Sequence, residues 1–86
     1  MIYAIFKYPE SGMINDPKKA KDAGLVVGKR YTLEDADVGS WITYITLSEV
    51  SGSFNSVQFE FKDESGNEVD IYHHPDFNHD DDDYYW

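Results

Sequence analysis

The sequence predicts a mainly β domain, a small five-stranded antiparallel barrel or curled sheet with one short helix and an acidic C-terminal tail. Three observations carry this. Short runs of alternating or β-branched and aromatic residues recur along the chain, separated by Gly, Pro and Asn. Only one segment has helix start and stop signals. The last residues, HPDFNHDDDDYYW, lose all periodicity, so the chain divides into a β-rich domain over 1–72 and a tail over 73–86.

In chain order, Ile2 to Tyr8 alternates as a first strand. Pro9, Gly12 and Asn15 interrupt it, and Asp16-Pro17 offers an N-cap with proline at the first helical position, predicting a short helix over Pro17 to Ala23 that stops at Gly24. A second strand begins at Gly28, turns Tyr31 and Leu33 inward, and ends at the acidic EDAD segment, Glu34 to Asp37. The stretch from Trp41 to Phe61 reads as a hairpin. A loop at Val50-Ser51-Gly52, closed by Gly52 in the left-handed conformation, sets Ile45 opposite Val57, Thr43 opposite Phe59 and Trp41 opposite Phe61. The predicted buried face is Trp41, Ile45, Leu47, Val57, Phe59 and Phe61, with Gln58, Glu60, Ile42, Tyr44 and Phe54 outward. Glu68 to Tyr72 alternates as a last strand.

Composition narrows the function classes. The 86 residues contain no cysteine, which excludes disulfides and thiolate metal sites. The start, MIYAIFKYPE, lacks the basic region and long apolar run of a signal peptide, so a cytoplasmic protein is expected. The formal net charge of -10 is unevenly placed: residues 1–33 carry six Lys/Arg against three Asp/Glu, and residues 34–86 carry one Lys against fourteen. Such a field opposes contact with nucleic acid or an anionic membrane and favours a basic partner.

The segment Gly24-Leu25 to Gly28-Lys29-x-Tyr31, with Trp41 to Leu47 and FNSVQFEF, resembles the small SH3-like β-barrel proteins of bacteriophage and prophage genomes. The resemblance implies a phage accessory protein, in a group that includes anti-defence inhibitors. It carries no functional residues across.

The tail holds the sharpest chemistry. An extended chain rises about 3.3 Å per residue, close to the about 3.4 Å per nucleotide of one DNA strand, so Asp80, Asp81, Asp82 and Asp83 can approximate the charge density of a phosphate backbone. With Glu34, Asp35, Asp37 and Asp76 they form a candidate partner-binding set, to which Tyr84, Tyr85 and Trp86 add stacking surfaces and Tyr44 an apolar contact. The simpler reading is a solubilising tail, since charge runs are usually solvated. His73, His74 and His79 lie among carboxylates, but the adjacent pair diverges on a strand. Asp76, Asn78, Asp80 and Asp82 follow calcium-loop spacing, with Asp81 where glycine is required and no glutamate at the twelfth position. No metal or other cofactor is therefore expected. Gly24-x-x-x-Gly28-Lys29-Arg30 is one residue short of a phosphate-binding loop, and no nucleophile-base pair is legible. The expectation is a non-enzymatic inhibitor of a basic nucleic-acid-binding host protein, of anti-CRISPR or anti-restriction type, acting as a DNA mimic. The alternative is a small interaction or structural accessory module docking through Ile42, Tyr44 and Phe54. Pairing into a homodimer stays open.

Overall fold

A computed structural model describes residues 1–75 and Phe77. Strand β1 (Ile2–Phe6) turns Ala4 and Phe6 inward, and it ends two residues earlier than its alternation predicts. The reason lies in its partners: the amides of Lys7 and Tyr8 both donate to the Gln58 carbonyl at 3.0 Å, which bends the chain away before Pro9. Helix α1 (Asp16–Asp22) starts one residue before the predicted helix. Asn15 takes the N-cap position, and the Asp16 carboxylate instead accepts the Met13 amide at 2.7 Å from just inside the helix. Ala20 faces the core, Lys18, Lys19 and Lys21 face solvent, and Gly24 closes the end at φ +81°.

Strand β2 (Arg30–Val38) runs straight through the acidic segment expected to end it. Tyr31, Leu33 and Ala36 are buried, and a bulge between Leu33 and Asp35 leaves Glu34 and Asp35 both outward. Charge does not break a strand whose outer face meets water, and the only residue of this segment that must turn inward is the small Ala36. The early part of β2 pairs with β1 (Tyr3 with Thr32, Ala4 with Tyr31), and the later part pairs with β3 (Thr43–Leu47). The bulge thus sits where one strand passes from one half of the sheet to the other.

The hairpin that follows differs most from expectation. Five residues, 48–52, connect β3 to β4 (Ser53–Asn55), so Ile45 pairs with Phe54 and not with Val57. Gly52 does adopt φ +101°, but the connection is longer because the Ser48 amide and the Glu49 carboxylate turn back to Thr32. An odd shift in register exchanges the two faces. Phe54 is therefore buried where the expected register puts it outside; Trp41 lies in the connection before β3 and Val57 in the 3-10 turn that follows β4, so both are exposed where burial is expected. Gln58, expected outward, is 1% exposed. Ile45, Leu47, Phe59 and Phe61 are in the core as expected.

The second arm of this hairpin is in fact two strands. A 3-10 turn, Ser56–Gln58, ends β4 and sends β5 (Phe59–Asp63) to the far side of the sheet, where Phe61 pairs with Ala4 and Phe59 with Phe6. The resulting order is β4-β3-β2-β1-β5, all antiparallel. The turn joins the two edge strands, so the sheet curls around a core in which the Phe59 ring stands 5.3 Å from Phe6, 6.5 Å from Phe54 and 6.4 Å from Phe61. Tilted pairs of this kind add roughly 0.5–1.5 kcal/mol each beyond the area they bury. The predicted last strand is reduced to a bridge between Lys62 and Glu68, after which a second 3-10 turn, Ile71–His73, drives Ile71 into the core. Asp70 caps that turn by accepting the Tyr72 amide at 3.0 Å, which competes with strand pairing at Val69 to Tyr72.

Three side chains hold the diverted turn. Asn55 Oδ1 accepts the Val57 amide at 3.2 Å, Asn55 Nδ2 donates to the buried Asp16 carboxylate at 2.9 Å, and Gln58 Nε2 donates to the Pro9 carbonyl at 3.0 Å. Asn55→Ala removes two of these bonds and strips a buried carboxylate of a donor, so a loss of about 1–3 kcal/mol is expected in urea denaturation. A change below about 0.5 kcal/mol, within the range of ordinary surface substitutions, would contradict this role.

Candidate functional site

The acidic residues of β2 occupy the outer face of the sheet as a consequence of the bulge. Asp35 pairs across to Thr46, and Asp37 to Tyr44, so alternate rungs present a carboxylate beside a polar or aromatic neighbour. Glu34, Asp35 and Asp37 are all exposed. Among the described residues none of them is in an ion pair: the pairs formed are the N-terminus with Glu64, Lys7 with Glu60, Lys18 with Asp22, and His73 with Asp70. The cations nearest in sequence are engaged elsewhere. Arg30 stacks 4.2 Å from the Tyr3 ring centre, and Lys29 lies 5.3 Å from that of Tyr31. The outer face is thus polarised along β2, basic at Arg30 and acidic from Glu34 to Asp37.

Glu49 fastens this strand from the side. Its carboxylate accepts the Thr32 amide at 2.8 and 3.1 Å and the Thr32 hydroxyl at 2.8 Å. Partial desolvation pushes its carboxyl up, but the Thr32 amide and hydroxyl, with Lys29 nearby, outweigh this and hold it below the ordinary glutamate value. Charge-assisted bonds of this type are the stronger class, and these hold the 48–52 connection against the bulged strand.

A groove of about 500 Å³ runs beside the acidic strand, lined by Ile2, Leu33, Glu34, Asp35, His74 and Phe77 among others. Phe77 packs against the core and lies 5.4 Å from the His74 ring, so the chain reaches residue 77 beside Glu34 and Asp35. The predicted site residues Asp76, Asp80, Asp81, Asp82, Asp83, Tyr84, Tyr85 and Trp86 lie outside the described residues. Of the others, Glu34, Asp35, Asp37 and Tyr44 are brought onto two adjacent strands. Tyr44 is 37% exposed, and the Lys19 ammonium stands 5.9 Å from its ring centre. Of the histidines weighed as ligands, His73 instead donates from Nδ1 to Asp70 at 2.8 Å, which holds the Asp70 carboxyl low, and His79 is outside the described residues.

Sequence reasoning missed two residues of this surface. Glu49 reads as a loop acid, and nothing in its neighbourhood points to Thr32, seventeen positions away. Trp41, expected in the core, follows Gly39-Ser40, turn chemistry that signals a position outside the strand. No helix among the described residues is long and apolar enough to cross a membrane.

A family model described as Bacteriophage T4 protein Y07B matches residues 1–83. No curated protein and no solved structure matches the chain.

Because its folded pKa is depressed, Glu49 contributes stability above the ordinary carboxylate value, and that contribution disappears as the pH falls through the depressed value. Thermal melts across this acid range should show Glu49→Gln losing stability less steeply than the parent. Parallel curves for the two proteins would show that the Thr32 contact contributes nothing.

Proposed function

Since the chain belongs to the bacteriophage T4 protein Y07B family, we propose that it is a non-catalytic phage inhibitor that occupies the nucleic-acid groove of a basic host defence enzyme, of anti-CRISPR or anti-restriction type. The observation that carries this reading is the groove in which His74 and Phe77 meet Glu34 and Asp35. Three positions beyond Phe77 the sequence begins its run Asp80 to Asp83. Asp35 and Asp37 share a strand face at about 6.6 Å, close to the about 6.8 Å spanned by two nucleotides of one DNA strand. With no ion pair among the described residues, they are available to the cations of a partner.

The strand order, with a 3-10 turn linking the two edge strands, supports the SH3-like comparison. The rival mode, an accessory module docking through an apolar sheet face, is weakened because Phe54 is buried and leaves that face to Tyr44 and a half-buried Ile42. The site of action in this reading is the host cytoplasm.

Two neutralised variants test the mimicry, one carrying Glu34→Gln, Asp35→Asn and Asp37→Asn, the other Asp80 to Asp83 all changed to Asn. Capture of host nucleic-acid-binding proteins from bacterial lysate should fall roughly tenfold or more with each variant, and should fall for the parent as salt rises. Capture unaffected by neutralisation and by salt would sink the proposal.

A further inference from the structure

Trp41 is 96% exposed. An indole wholly in water leaves apolar area unused that would contribute about 1.5–3 kcal/mol if buried, and in contact surfaces tryptophan is enriched among the few side chains that carry most of the binding energy. Its position is also well defined. Residues 39–42 link the last rung of β2 and β3, Val38 with Thr43, and a Cβ built on Gly39 would lie 2.6 Å from the Ile42 carbonyl oxygen. The connection is therefore closed tightly at its base, and only glycine permits that approach. Trp41 is held at the end of the strand pair, in the connection beyond the Val38–Thr43 rung; Asp37 with Tyr44 forms the next rung in, and Asp35 with Thr46 lies two rungs further.

We infer that Trp41 is an anchor that inserts into an apolar pocket of a basic protein, while Asp37 and Asp35 pair with cations on the rim of that pocket. This rests on the acidic-surface reading above and adds to it the shape and chemistry of the partner: a hydrophobic cavity bordered by Lys or Arg. Charge complementarity selects the occupant. Asp37 and Asp35, one and three rungs in from the Val38–Thr43 rung that closes the connection, repel a phosphate backbone, so a nucleobase stacked on Trp41 would bring its own repulsion with it. A cationic protein rim instead supplies the counter-charges that Asp35 and Asp37 lack among the described residues. Ile14 is similarly exposed, at 92%, but lies in the connection before α1 and not in that between β2 and β3, and serves as the control.

The test measures fluorescence anisotropy at low salt with two labelled probes of equal charge, an amphipathic lysine–leucine helical peptide and an oligolysine. The parent should bind the amphipathic probe about tenfold or more tighter than the oligolysine. Trp41→Ala should erase that difference while keeping oligolysine affinity, and Ile14→Ala should preserve it; circular dichroism confirms that each variant is folded. If Trp41→Ala binds the amphipathic probe as the parent does, the anchor is overturned while the acidic-surface reading stands. If neither probe binds the parent, the acidic-surface reading fails and the anchor with it. A single-stranded oligonucleotide that binds the parent and not Trp41→Ala would overturn the protein partner in favour of base stacking.

Discussion

Asn55 uses both ends of its carboxamide at once, and the path of the whole chain depends on it. The oxygen caps the Ser56–Gln58 turn through the Val57 amide, and the nitrogen ties that turn to Asp16 at the start of α1. Asp16 in turn accepts the Met13 amide, and Gly12 makes room for it at φ +103°, a conformation open to glycine, where a Cβ would come within 2.6 Å of the carboxylate oxygen. Gln58 completes the constraint through Pro9 and through the amides of Lys7 and Tyr8. A polar cluster buried at the junction of two strands thus converts what would be one long hairpin arm into two edge strands on opposite sides of the sheet. The low-dielectric setting strengthens the bonds these groups make.

Placement of charge follows from that path. With β5 on β1, strand β2 becomes the central strand, shared between both halves of the sheet, and its bulge turns consecutive carboxylates to solvent. The acidic residues are therefore mounted on a central strand and not on a loop, and Glu49 braces them from the adjoining connection. Central placement gives the acids fixed spacing, which is what a surface needs to match the regular charges of a nucleic-acid-binding groove. The same path puts Trp41 at a sheet end, where a continuous hairpin would have drawn it inside.

The fold class was legible because it rests on local chemistry: alternation in Ile2 to Phe6, Pro17 and Gly24 bracketing a helix, Tyr31 and Leu33 sharing a face. Five strands were expected and the described residues form five, yet the fifth is not the one foreseen. Val69 and Ile71 alternate well enough for a strand, but Asp70 offers the backbone a competing 3-10 turn. The hairpin register is not legible from the alignment of apolar residues, because Asn55, the residue that ends the strand, makes its decisive bond to Asp16, thirty-nine positions away. On this surface, the charge of Glu34, Asp35 and Asp37 and the outward side of Tyr44 were legible, but not the strand that carries the three acids, and Glu49 and Trp41 depend on contacts and a turn that periodicity does not encode.

Everything functional here presupposes that the chain crosses to β1 after Gln58. Cross-strand nuclear Overhauser effects in the labelled protein test this directly. The account predicts contacts linking Ala4 with Phe61 and Phe6 with Phe59, together with Ile45 to Phe54; contacts linking Thr43 with Phe59 and Ile45 with Val57 would restore the continuous hairpin, bury Trp41 and contradict it.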